Sequence, residues 1–138
     1  MSPLAAAFLL IALLSAACGQ SDGAPEHQTE VAKVRFGSLD VVLLSRETAL
    51  SRGQSTATIE FRSTSDNSLV HVGTVRASAT MSMPGMAPMM GPVVVQPTNT
   101  PGRYLATSDL SMAGEWRLTV DWDGPVGSGS ANFSPMVQ

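Results

Sequence analysis

The sequence has few of the residues that usually carry chemistry: one cysteine, two histidines and only 14% charged residues in a chain of 138. A single cysteine, Cys18, allows no intrachain disulfide, so the hydrophobic core alone must hold a folded domain together. The eight Lys and Arg residues are dispersed, which argues against nucleic acid as a partner. The acidic residues are equally scattered and form no loop suited to a hard cation.

Motifs typical of catalysis are also missing. There is no nucleophile elbow, no glycine-rich phosphate loop and no His-Glu pairing of a metal hydrolase. Asp121 and Asp123 flank Trp122, and this pattern is typical of a solvated strand end rather than of a catalytic carboxylate pair. We therefore do not expect an enzyme.

No apolar run is long enough to cross a bilayer, which takes about 20 residues. The unbroken run from Leu4 to Leu14 has the length of a signal-peptide core and ends in Ser15-Ala16-Ala17-Cys18-Gly19. This junction resembles a bacterial lipobox, in which small residues precede a cysteine that becomes acylated. We expect residues 1–17 to be a lipoprotein signal peptide and Cys18 to carry palmitate and related acyl chains that anchor the protein to a membrane. An ordinary cleaved signal is the alternative.

The segment after the cysteine is polar up to Glu30 and contains nothing that could pack. Residues 18–30 are therefore predicted to be the lipidated cysteine and a flexible tether. The domain would be exported and anchored at the periplasmic face of the outer membrane in a Gram-negative host, and at the cell surface otherwise.

From residue 31 onward the apolar residues recur with a period of two. Such alternation is typical of antiparallel strands with one buried face. The clearest runs are Ala57-Ile59-Phe61, Val75-Ala77-Ala79-Met81-Met83 and Trp116-Leu118-Val120-Trp122. Turn residues separate the runs at 65–68, 97–102 and 123–125. Residues 31–138 are thus predicted to form an all-β domain, an immunoglobulin-like antiparallel β-sandwich of seven to eight strands.

One segment departs from this pattern, because five of the eight methionines lie between Met81 and Met90. Its prolines and glycines exclude a helix, and we expect a loop from Pro84 onward. Met81 and Met83 continue the inward face of the preceding strand. If the strands alternate in direction, the link 109–114, with Met112, lies at the same end of the sandwich as the methionine loop.

Three interpretations of these methionines remain open. Their thioethers could bind a soft cation, for which Cu(I) is the usual choice. Met83, Met86 and Met89 are then the leading ligands, with Met81, Met90 and Met112 in reserve. Alternatively, the methionines fill irregular gaps in the core and at its end. In the third interpretation they form an exposed apolar patch that docks a partner protein.

Neither histidine is expected to contribute to such a site. His71 precedes the long strand and should lie at the opposite end from the methionines, and His27 lies in the tether.

The stretch from Val75 to Trp122 resembles the YtkA-like domain family. The resemblance is carried by Met83-Pro84-Gly85-Met86, by Gly102-Arg103-Tyr104 and by Met112-Ala113-Gly114-Glu115-Trp116 in this order. It is also similar to the periplasmic part of FixH-type proteins. The resemblance implies an immunoglobulin-like sandwich in a secreted or membrane-attached protein, often linked to copper or heavy-metal handling. Many members carry histidine near the methionine turn, whereas this chain has Ala87-Pro88-Met89-Met90 there, which favours Cu(I) over Cu(II).

We therefore expect an anchored extracytoplasmic lipoprotein that binds Cu(I) for storage, delivery or sensing, acting with copper-handling or membrane-complex proteins. The alternative is a module without metal that docks to an efflux or oxidase-assembly complex. A third hypothesis is that the methionines act as an oxidant sink through reversible sulfoxide formation.

Overall fold

The computed structural model describes residues 27–138, and strands account for most of this part of the chain. Eleven strands lie within these residues, of which eight have five residues or more. They are β1 Thr29–Phe36, β2 Leu39–Ser45, β3 Gly53–Ser63, β4 Thr74–Met81, β5 Met89–Gly91, β6 Val93–Pro97, β7 Arg103–Leu110, β8 Gly114–Glu115, β9 Arg117–Gly124, β10 Gly127–Phe133 and β11 Met136–Val137. No described residue is helical.

The strands form two main antiparallel sheets with a core between them. One sheet has the order β1-β2-β3-β7-β6 and the other β10-β9-β4-β5, and β8 and β11 form a small ribbon beside them. Alternate residues of both sheets make up a single buried cluster. Phe61 of the first sheet meets Trp122 of the second edge to face, with ring centroids 5.2 Å apart. The predicted all-β antiparallel sandwich is confirmed, because the period-two runs bury their apolar side chains between the sheets.

Three details of the predicted strands are wrong. β4 ends at Met81, so Met83 does not continue its inward face. The segment after Pro84 is not a loop throughout, because Met89–Gly91 returns as β5 and pairs with β4. The first strand begins at Thr29, two residues inside the segment predicted to be a tether. The predicted signal peptide, Cys18 and most of the tether lie outside the described residues.

Between Gly91 and Val93 the chain passes from one sheet to the other. β5 pairs with β4, whereas β6 pairs with β7 in the opposite sheet. Pro92, which separates them, has no amide N–H to contribute to either sheet, and its carbonyl accepts a hydrogen bond from the Asp109 amide at 3.1 Å. This crossing joins the two sheets at the end of the sandwich where the methionines lie.

No helix within residues 27–138 is long and apolar enough to cross a membrane.

The end of the sandwich opposite the methionines is fixed by Tyr104. Its hydroxyl donates a hydrogen bond to the Gly73 carbonyl at 2.8 Å, tying β7 to the turn before β4. Burial raises the pKa of Tyr104, and its hydrogen bonds to the backbone of Val72 and Gly73, which lower the pKa, offset only part of this effect. Gly73 has a φ of 91° and lies so close to Asp123 that a Cβ would contact its carbonyl oxygen at 2.5 Å. The turn therefore depends on glycine for both space and conformation.

We predict that Tyr104→Phe lowers the free energy of unfolding by about 1 kcal/mol, because the Gly73 carbonyl loses its donor. Urea denaturation of the wild-type and variant proteins measures the difference. Since Tyr104 is at the far end, the variant should leave every property of the methionine end unchanged. An unfolding free energy equal to that of the wild type would show that the hydrogen bond contributes nothing.

Candidate methionine site

The centre of the candidate site is the hairpin made by β4 and β5. Met81 is the direct cross-strand partner of Met89, and Ala79 is the partner of Gly91. Directly opposed residues project from the same face of a sheet with Cβ atoms about 5 Å apart. Ala79 is fully buried, so this face is the inner one. Met81 and Met89 are both half-buried and pack against the core, as an adjacent pair of thioethers at its open end.

Met90 projects from the other face of the same hairpin. It pairs with Thr80, one position along the strands from the Met81–Met89 pair, and 67% of its surface is exposed. Because successive side chains of a strand point to opposite faces, the structure does not bring Met90 together with Met81 and Met89. The hairpin therefore separates the two adjacent methionines Met89 and Met90 onto different surfaces.

Met83 and Met86 are the first and last residues of a tight turn that follows β4. The Met86 amide donates to the Met83 carbonyl at 3.1 Å, and the central residues are Pro84 and Gly85. Gly85 has a φ of 73°. Proline followed by a residue with positive φ is the pattern of a type II turn, which holds its first and last Cα atoms within about 7 Å. Met83 is half-buried, whereas Met86 is 70% exposed at the tip.

The link between β7 and β9 contacts the inner methionine pair. The Ser111 hydroxyl lies 3.6 Å from the Met89 sulfur and donates to it. A Cβ built on Gly114 would lie 2.5 Å from the Met81 Cε, so the methyl group of Met81 occupies the space that a side chain would need. The link 111–114 and the methionine hairpin thus lie at the same end of the sandwich, as alternating strand directions predict. Met112, 37% exposed, is carried on this link.

Trp116 fixes the position of this link. Its ring is almost completely buried, and its indole Nε1 donates to the Met112 carbonyl at 2.9 Å. Its backbone amide donates to the Pro135 carbonyl at 3.1 Å. A Cβ on Gly91 would contact Leu110 and the Trp116 ring, so glycine lets β5 approach the tryptophan closely. One residue therefore holds the link, the C-terminal segment and β5 together.

The described methionines thus divide into an inner pair, Met81 and Met89, which packs against the core, and five others outside that pair. Contacts join Met81 and Met89 to the link that carries Met112, and the turn with Met83 and Met86 connects the two strands of the hairpin. Met90 faces the other side, and Met136 is 50% exposed on the ribbon opposite Glu115. The leading ligands that the sequence predicts lie in one hairpin: Met83, Met86 and Met89.

Other metal-ligating side chains do not gather at this end. Residues 27–138 contain no group of three or more His, Cys, Asp or Glu side chains that could hold a metal ion. His71 is exposed ahead of β4, at the end opposite Met81, as expected. Within these residues the methionine end thus offers thioether sulfur and the carboxylate of Glu115, but no cluster of carboxylate or imidazole ligands.

A buried ionic cluster on the other face of the first sheet was missed by the sequence reasoning. Glu60 is buried and accepts hydrogen bonds from Arg62 and Arg103. Its place in an alternating run predicted a solvated residue. The pairing of β3 with β7, which sets Arg103 opposite Glu60, joins strands far apart in sequence, so no local pattern could have revealed it.

The family model of the YtkA-like family matches residues 36–121, which is more than half of the chain. These residues run from the end of β1 into β9 and include the methionine hairpin and the link. The chain therefore belongs to the YtkA-like family, and the predicted resemblance is confirmed. Neither a curated protein nor a solved structure gives a match.

The turn at the tip of the hairpin can be tested at Gly85. A Cβ there would meet no atom within 4 Å, so any cost of substitution comes from its positive φ. We predict that Gly85→Ala lowers the free energy of unfolding by about 1 kcal/mol, whereas Gly85→Asn costs less because asparagine tolerates this conformation. Thermal unfolding of both variants gives the comparison. Equal stability of the alanine variant and the wild type would contradict the type II turn.

Proposed function

We propose that the methionine end of this YtkA-like domain binds Cu(I) through thioether sulfur, and that the protein does so while anchored by a lipid on Cys18 outside the cytoplasm. Its role would be copper storage, delivery or sensing. The observation that carries the proposal is the contact of two separate chain segments, the β4–β5 hairpin and the link 111–114, both of which bear methionine.

The chemistry of the donors favours Cu(I). Thioether is a soft ligand, and soft ligands select Cu(I) among biological metal ions. The chain supplies no thiolate in residues 27–138, and its two histidines do not flank the hairpin. The half-buried inner pair offers sulfur in a partly desolvated place, where strong hydration of a competing hard cation would be lost.

The pairing of β4 with β5 supports one ligand set. Met81 and Met89 would supply an adjacent pair, and Met112 would join them from the link, whose Ser111 and Gly114 contact Met89 and Met81. Met83 and Met86 would complete the set from the turn. The Ser111 hydroxyl donates to the Met89 sulfur, and the second lone pair of that sulfur stays available to the metal.

A competition titration against a Cu(I) chelator under anaerobic conditions tests the proposal. We predict a sub-micromolar dissociation constant for the wild-type protein, corresponding to more than about 8 kcal/mol of binding free energy. Met81→Leu together with Met89→Leu should weaken binding by at least about tenfold, since leucine fills similar space without a sulfur donor. Met83→Leu with Met86→Leu should also weaken it.

Met90→Leu is the matched control. It removes a thioether from the next residue of the same strand, but on the opposite face. The control should bind Cu(I) as the wild type does. Equal losses in the control and in the double variants would contradict a defined site, and affinity unchanged in both double variants would overturn the ligand assignment.

Anchoring is tested separately at Cys18. Metabolic labelling with radioactive palmitate should mark the wild-type protein, and the protein should sediment with membranes. Cys18→Ser should lose the label. A labelled serine variant, or a wild-type protein found soluble and unlabelled, would contradict lipidation.

A second candidate function is docking to a membrane protein complex, such as one for efflux or oxidase assembly. Four of the eight large apolar side chains exposed in residues 27–138 are methionines, Met86, Met90, Met112 and Met136. Flexible methionine side chains suit an adaptable protein-binding surface. If Cu(I) fails to bind the wild-type protein in the titration, this candidate replaces the first.

A further inference from the structure

A second site with different chemistry lies on the outer face of the five-stranded sheet. Glu60 projects there from β3 with its side chain only 3% exposed. The Arg62 Nε donates to Glu60 Oε2 at 2.7 Å, and the Arg103 Nε donates to Glu60 Oε1 at 2.9 Å. Two guanidinium groups therefore converge on one carboxylate from separate strands.

The cluster carries an excess of positive charge. The Glu60 carboxylate neutralises only one of the two arginines. The side chains of Arg62 and Arg103 are only 23% and 19% exposed. The next carboxylate on this face, Asp40, accepts hydrogen bonds from Arg35 that lower its pKa, and the charge of Arg62, its partner on the neighbouring strand, lowers that pKa further. Three arginines, Arg35, Arg62 and Arg103, therefore face two carboxylates, which still leaves an excess of one positive charge. A partly buried guanidinium without its own counter-ion attracts an anion more strongly than a fully solvated one does.

Hydrogen-bond donors remain unused at this place. Within the described residues, the Arg62 Nη1 and both terminal nitrogens of Arg103 donate to no protein group. Both arginines line a cleft of about 400 Å³, together with Glu60, Gln28, Leu44, Asn67 and Leu69. The cleft thus offers unpaired donors from two cations.

We propose that this cleft binds a phosphate ester. The tetrahedral phosphate has oxygens enough to accept hydrogen bonds from both guanidinium groups at once, and arginine matches phosphate geometry through paired N–H donors.

Two sources supply this chemistry. One is a soluble glycerol phosphate, and the other is the headgroup of phosphatidylglycerol in the membrane. The headgroup source depends on the anchoring proposed above, which would hold the domain close to a bilayer. The site itself does not depend on copper, because it is separate from the methionine end, and either proposal can fail alone.

The first experiment titrates the purified protein with glycerol 3-phosphate and follows the arginine Nε–H signals by NMR. Saturable shifts are expected at Arg62 and Arg103, with half-saturation at or below about 1 mM. Arg103→Gln should weaken binding by about tenfold or more, because it removes a charged donor. Arg103→Lys, which keeps the charge on a more compact donor, provides a second variant if the glutamine variant does not fold.

Arg35→Gln is the control, since it removes an equal charge from the same face outside the cleft. It should change the affinity by less than about threefold. No saturable shift up to about 10 mM glycerol 3-phosphate in the wild-type protein would overturn the proposal. An equal loss in the Arg35 and Arg103 variants would also overturn it, because the attraction would then be non-specific.

Flotation with vesicles separates the two sources. The protein without residues 1–18, which has neither the apolar run nor an acylated cysteine, is mixed with vesicles of phosphatidylcholine alone or with added phosphatidylglycerol. Flotation that requires both phosphatidylglycerol and Arg103 assigns the site to the membrane headgroup. Binding of glycerol 3-phosphate without flotation assigns it to a soluble ester.

Discussion

The methionine end of this protein depends on the burial of Trp116. The indole N–H holds the Met112 carbonyl, the backbone amide holds the C-terminal segment at Pro135, and the ring supports β5 at Gly91. A buried aromatic ring contributes several kcal/mol to folding, far more than one exposed methionine. The core therefore determines the positions of the segments that carry the sulfur atoms, and a ligand need not organise them.

This arrangement also explains why the methionines differ in role. Pairing between β4 and β5 sets Met81 and Met89 on the inner face, while the same register directs Met90 outward. Inner methionines pack on the core and are available to a small ligand only from one side. Outer methionines are available to large partners. A cation site and a protein-docking surface can thus occupy neighbouring parts of one end of the sandwich.

Much of the fold could be predicted from the sequence because alternation along each strand is a local property. The runs through Ile59 and Val120 predicted both the strands and their buried faces. β5 could not be found in this way, since Met89–Gly91 is too short to show a period and its Gly91 lies against Leu110 and Trp116, which are far along the chain. Alternating strand directions predicted that the hairpin and the link lie at the same end of the sandwich. That Met89 and Met90 face opposite sides of the sheet could be known only from the register of β5 on β4. The burial of Glu60 likewise depends on a pairing between distant strands.

We have proposed that sulfur atoms from the β4–β5 hairpin and from the link 111–114 bind one cation. X-ray absorption spectroscopy of the protein loaded with one equivalent of Cu(I) tests it most directly, because the spectrum reports the elements bound to copper. We expect copper to be bound by sulfur alone in the wild-type protein and by fewer sulfur atoms in the Met81→Leu, Met89→Leu protein. A shell of nitrogen or oxygen, or one unchanged in that variant, would contradict it.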